Sequence, residues 1–113
     1  MNQGEIWLIA LDPAVGAEMK KTRPALIINA DALGKLPLNI IVPITDWKEH
    51  YKGYPWMVKI NPTDQNGLAK VSAVDCFQIR SVSVERLTAP VGSVESEIIG
   101  QVQAAVIRVI GAM

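Results

Sequence analysis

Ser93–Gly111, read SVESEIIGQVQAAVIRVIG, is the stretch that decides the fold, because the apolar residues change period there. Ile98, Ile99, Val102, Ala105, Val106, Val109 and Ile110 recur at three-and-four spacing, the pattern of one buried helical face. Ser93 is placed to cap the start, Glu95 and Glu97 sit near the positive end of the helix dipole, and Gly111 terminates the helix. Upstream the pattern is that of short strands. Glu5–Leu11 (EIWLIAL) is rich in β-branched and aromatic residues and stops at the turn-forming Asp12-Pro13. Pro24–Asn29 (PALIIN), Asn39–Ile44 (NIIVPI) and Trp56–Ile60 (WMVKI) read as a second, third and fourth strand, and Ser72–Ile79 and Ser81–Leu87 as two more. Pro43 places the third strand at an edge or puts a bulge and kink near its end. Asn61–Gly67 (NPTDQNG) is a dense turn, with Asn66-Gly67 suited to positive φ. The expected fold is mainly β with a C-terminal α-helix, a strongly bent sheet or small barrel with the helix against it.

The 113 residues are 50% hydrophobic and 19% charged, enough to bury one core, so a single domain spanning residues 1–113 is expected. Eleven Lys plus Arg balance eleven Asp plus Glu, so bulk charge gives no argument for nucleic-acid binding and any such site must come from local clustering. Cys76 is the only cysteine, which excludes an intrachain disulfide and points to a reducing compartment, the cytoplasm. It lies in an apolar, strand-like context and reads as a buried, inert thiol. No apolar run approaches the roughly 18 residues that span a bilayer, and no secretory signal opens the chain. His50, the sole histidine, reads as a loop residue, and one histidine with one cysteine leaves no histidine- or cysteine-rich metal site. No phosphate-binding glycine loop or dinucleotide fingerprint appears either, so the expected chemistry needs neither metal nor cofactor.

Two segments concentrate functional residue types. Asp12–Arg23 (DPAVGAEMKKTR) sets Lys20, Lys21 and Arg23 beside Gly16 and the single carboxylate of Glu18. Three cations within four residues attract a phosphate, and Arg23 stands at a strand start, where a rigid element holds its guanidinium. A solvated hairpin loop has the same composition. Thr45–Trp56 (TDWKEHYKGYPW) interleaves Trp47, Tyr51, Tyr54 and Trp56 with Lys48 and Lys52, the residues that stack on unpaired bases and contact the backbone between them. The same aromatics also serve to pin a long loop.

Gly4-Glu5-Ile6-Trp7, Asp12-Pro13, Gly16-Ala17-Glu18, Thr22-Arg23-Pro24-Ala25, Pro43-Ile44-Thr45 and Gln78-Ile79-Arg80-Ser81 follow one another in that order. The series, from Gly4 to Leu87, resembles the MazF/PemK/Kid family of toxin-antitoxin endoribonucleases. The resemblance implies an SH3-like (CcdB/Kid/MazF-type) small barrel that forms a homodimer, cleaves single-stranded RNA at short sequences without metal, and is silenced by a cognate MazE/PemI-like antitoxin. It implies attack of a ribose 2′-hydroxyl on the adjacent phosphate, leaving a 2′,3′-cyclic phosphate and a 5′-hydroxyl. In that pattern Arg23 stabilises the phosphoryl oxygens and Thr45 hydrogen-bonds the same phosphate. Glu18 orients the 2′-hydroxyl or takes its proton, and Gln78 lines the RNA groove. The basic residues Lys20 and Lys21, and Trp47, Lys48 and Tyr51 of the aromatic loop, join Gln78 as expected RNA contacts.

Two departures from the pattern stand out. Phe77 precedes Gln78 where some members carry an acid, and strand alternation would put Asp75 on the same face as Phe77, leaving Asp75 as a second candidate base and RNA contact. Ala17 and Met19 flank Glu18 where many members have polar residues, and Thr22 stands where some have histidine. A non-enzymatic CcdB-type gyrase inhibitor and a silent single-strand RNA binder are the competing readings. The Arg23-Pro24 and Ile44-Thr45 pairs argue against the first.

Overall fold

The computed structural model describes residues 1–112. Seven strands are followed by one helix: β1 (Glu5–Ala10), β2 (Thr22–Ile27), β3 (Leu38–Asp46), β4 (Met57–Ile60), β5 (Ser72–Asp75), β6 (Arg80–Ser83), β7 (Leu87–Ser93) and α1 (Ser96–Ile110). All pairings are antiparallel, in the order β4-β5-β3-β2-β1-β7, with β6 also on β3. The mainly β architecture with a closing helix matches the expectation.

β3 is the spine, with β2 along one edge and β6 and then β5 along the other. Pro43 therefore does not mark an edge strand. Ile28 N–H donates to Ile40 O at 2.9 Å, and by the alternation of an antiparallel ladder the pair Ala25–Pro43 is a non-hydrogen-bonded one. The nitrogen of Pro43 thus faces the opposite side, between the ladder with β6, which ends at Ile41–Arg80, and the ladder with β5, which begins at Ile44–Val74. The missing donor falls where no partner strand needs it.

The register slips by three residues between these two ladders, and those three residues, Cys76–Gln78, form a 3₁₀ turn. Ser72–Ile79 is therefore not one strand, and Cys76 sits in the turn, fully buried. A further 3₁₀ turn over Val84–Arg86 ends the other expected strand early. β7 was not expected as a strand. It carries Pro90 and Gly92 and pairs with β1 through two register shifts, an irregular edge that has no clean alternation to read.

The central strands are buried on both faces. Ile6, Leu26, Val42, Ile44, Val58 and Val74 pack with Val102 and Ala105 of α1 on one side. Ile9, Leu11, Ala25, Ile27, Ile41 and Val82 form a second cluster, against which Met19 rests. The N-cap of α1 is Glu95 and not Ser93, which ends β7 and accepts a hydrogen bond on its hydroxyl from Gln65 Nε2 at 3.3 Å. Gly111 closes the helix in the left-handed conformation, its N–H returning to the Arg108 and Ile107 carbonyls, as expected. Asn66 is the knot of the β4–β5 connection, accepting from Thr63 and Leu68 N–H and donating to Asn61 O, with Gly67 at φ +68° beside it.

Candidate active site

Continuing the β2–β3 register two residues past Ala25–Pro43 sets Arg23 opposite Thr45. Arg23-Pro24 and Ile44-Thr45, far apart in sequence, thus become one cross-strand pair. Arg23 Nη1 lies 3.5 Å from Thr45 Oγ1, and both side chains are half-buried. Arg23 Nε donates to Lys20 O at 3.0 Å, which ties the guanidinium to the end of the β1–β2 loop. Among the described residues, no hydrogen bond or ion pair engages Arg23 Nη2. Lys20 and Lys21 are exposed on the same loop, and no ion pair among the described residues engages either.

The middle of that loop is held from the other side. Met19 N–H donates to Gln78 Oε1 at 2.6 Å, and Gln78 Nε2 donates to Ala17 O at 3.4 Å and to Asp75 Oδ2 at 3.3 Å. Glu18, between these anchors, is exposed and accepts Val15 N–H on Oε1 at 2.7 Å. A pocket of about 440 Å³ opens here, lined by Glu18, Met19, Phe77, Gln78 and Arg80 over a floor of Leu11 and Pro43. Arg23 and Thr45 are not among its lining residues, although Pro43, two residues before Thr45 on β3, is.

Asp75 and Phe77 do not share a face. The 3₁₀ turn breaks the alternation, so Asp75 is 5% exposed and Phe77 is 62% exposed. Asp75 caps the turn by accepting Phe77 N–H on Oδ1 at 3.1 Å. Burial pushes its carboxyl above the usual range, against the opposing hydrogen bonds from Phe77 and Gln78. Cys76 beside it is buried, and burial with the neighbouring Asp75 charge pushes its thiol up to about 12.

The aromatic residues of the β3–β4 connection form a row. Trp47 and Tyr51 meet edge to face at 5.7 Å, Tyr54 stacks on Trp56 at 4.8 Å, and Trp56 meets Phe77 at 5.7 Å. Trp47 is anchored by its indole N–H to Glu49 (3.1 Å) and lies under Lys59 Nζ at 5.2 Å, whereas Lys48 is exposed. Thr45 and Asp46 belong to β3, so the row starts immediately after the strand that carries Thr45. Two residues of the site were not singled out from the sequence: Phe77, which stood out only as a departure from the family pattern, and Arg80, which lay inside the Gln78–Ser81 motif.

Residues 2–110 match the family described as PemK-like, MazF-like toxin of type II toxin-antitoxin system. The chain belongs to the PemK/MazF toxin family. It is 33% identical over 111 residues to endoribonuclease MazF9 of Mycobacterium tuberculosis, covering 93% of this chain and 92% of that one. Its fold superposes on MazF from Deinococcus radiodurans with a TM-score of 0.81 at 23% identity, over 98% of this chain and 96% of the other. A MazE-MazF structure from the same organism gives a TM-score of 0.75 at 23% identity, over 100% and 97%. The SH3-like barrel of the PemK/MazF proteins is thus the fold of this chain. No helix among its described residues is long and apolar enough to cross a membrane.

Proposed function

We propose that this PemK/MazF toxin is an endoribonuclease that cleaves single-stranded RNA by attack of a ribose 2′-hydroxyl on the adjacent phosphate, without metal. The observation that carries the reading is the Arg23–Thr45 pair, two donors fixed on neighbouring strands within 3.5 Å of each other. Donors set in place before the reaction stabilise charge as it develops on the phosphoryl oxygens. In the step, the 2′-O–H bond breaks as O2′ bonds phosphorus, and the bond from phosphorus to O5′ breaks as that oxygen gains a proton. Glu18 accepts the 2′ proton, Arg23 donates hydrogen bonds to the phosphoryl oxygens, and water protonates the departing O5′, the hydroxide left behind taking the proton from Glu18. Lys20, Lys21 and Lys48 contact the RNA backbone, and Trp47 and Tyr51 stack on its bases.

A cognate MazE/PemI-like antitoxin, an extended acidic segment, fits the same cationic loop and aromatic row and blocks RNA by occupying them. A homodimer is supported by four exposed apolar side chains close in sequence, Leu33, Leu36, Leu38 and Ile40, on β3 and the segment before it. The toxin acts in the cytoplasm. The test is incubation of the protein and of Arg23→Ala with a long unstructured RNA in excess EDTA. Discrete cuts with 2′,3′-cyclic phosphate ends, absent from the variant, are expected. RNA bound but left intact would replace the nuclease with a silent binder, and neither binding nor cleavage would favour the gyrase inhibitor.

A further inference from the structure

The β1–β2 loop carries Glu18, Lys20 and Lys21, yet among the described residues only two hydrogen bonds internal to the loop support it from Pro13 to Glu18, Glu18 N–H to Val15 O and Val15 N–H to Glu18 Oε1. Met19 packs against the second core cluster, and the polar attachment to the barrel near Glu18 comes from the side-chain amide of Gln78, some sixty residues away, which holds Met19 N–H and Ala17 O at once. An amide can do this in one orientation only. Met19 presents a donor, so Oε1 must face it, and Nε2 is then left for Ala17 O. Asp75 holds the same orientation from behind, its Oδ2 accepting from Nε2 while Oδ1 is occupied by Phe77 N–H. Asp75 is itself buried and touches no part of the loop through any of these bonds.

We propose that Asp75 is a positioning residue: acting through the amide of Gln78, it latches the β1–β2 loop and so fixes Glu18 at the pocket mouth. This deepens the endonuclease reading, because it gives the buried carboxylate the role of orienting the base and not of being it. It also commits Gln78 to the protein, so that its amide reads the loop and not a nucleotide.

The chemistry permits a test by exchange of partners. In Asp75→Asn the side chain offers Nδ2 to Gln78, the amide of Gln78 turns over, and a donor confronts Met19 N–H. In Gln78→Glu the loop keeps its acceptor, but two carboxylates face each other behind it. In the double variant the introduced asparagine donates to one oxygen of the introduced glutamate, and the other oxygen accepts Met19 N–H. The latch re-forms there, short only of the bond to Ala17 O. Two readouts apply. Amide hydrogen exchange at Met19 reports the latch whether or not any RNA is cut, and cleavage kinetics report its consequence. Each single variant should exchange at Met19 at least about tenfold faster than the native chain, with kcat down about tenfold or more and KM within about twofold. The double variant should recover most of both. Native exchange in Asp75→Asn, or a double variant no better than either single one, overturns the latch. A native latch signature in a protein that cuts no RNA would overturn the nuclease reading and leave the latch standing.

Discussion

Thr45 owes its position to β3 and not to the loop that follows. A hydroxyl on a strand paired to β5 stays in place when the neighbouring loop moves, which is what a phosphate-binding donor needs. Thr45→Val should therefore leave the melting temperature nearly unchanged while slowing RNA cleavage roughly 10²-fold, the usual loss for one preorganised donor, and Thr45→Ser should retain most of the rate in the same assay. Cys76 lies at the other extreme. Fully buried, with its thiol pushed up to about 12, it stays protonated at neutral and mildly alkaline pH, and iodoacetamide should label it only after unfolding in urea, as mass spectrometry would show. Labelling of the folded protein would mean that the turn opens. Arg23 could be found in the sequence because three cations cluster just before Pro24, at a strand start, whereas Thr45 was reached only through the Pro43-Ile44-Thr45 motif and the family it resembles. Asp75 and Phe77 were misplaced because a period of two cannot be carried through a 3₁₀ turn, and nothing in Cys76–Gln78 announces one.

Among the elements, the β4–β5 connection and β7 depend on each other through glycine. A Cβ on Gly67 would overlap the carbonyl oxygen of Val91, at a φ of +68° that already disfavours any side chain, and one on Gly92 would come within 2.5 Å of Gln65 O. Backbone meets backbone there, so neither overlap is relieved by a rotamer change. Gly67→Ala and Gly92→Ala should each destabilise the fold by about 3 kcal/mol, read from urea midpoints, whereas Gly53→Ala, with open space around its Cβ, should have little effect. Asn66-Gly67 was legible as a turn. That it serves as a bed for β7 was not, because the strand it supports has neither alternation nor a run of β-branched residues. The helix was legible over most of its length, since its buried face keeps one period from Ile98 to Val109, but its cap was misjudged and Ile110, expected on the buried face, is exposed.

For the whole molecule, β3 joins two functions: Leu38 and Ile40 stand exposed at its start and Thr45 near its end. If the apolar end is the dimer contact, Leu38→Glu should shift the protein to monomer in sedimentation velocity at micromolar concentration, through burial of an unpaired charge; an unchanged dimer would place the interface elsewhere. The strand order has a further outcome for the life of the chain. β1 leaves the ribosome first, but it lies between β2 and β7, so its Ile9 waits for Leu87 and its Glu5 for Ser93. Pairing of such distant segments is slow and comes late. A nascent toxin therefore keeps one edge of β1 unpaired until β7 has been made, and no shorter stretch of the chain completes the sheet.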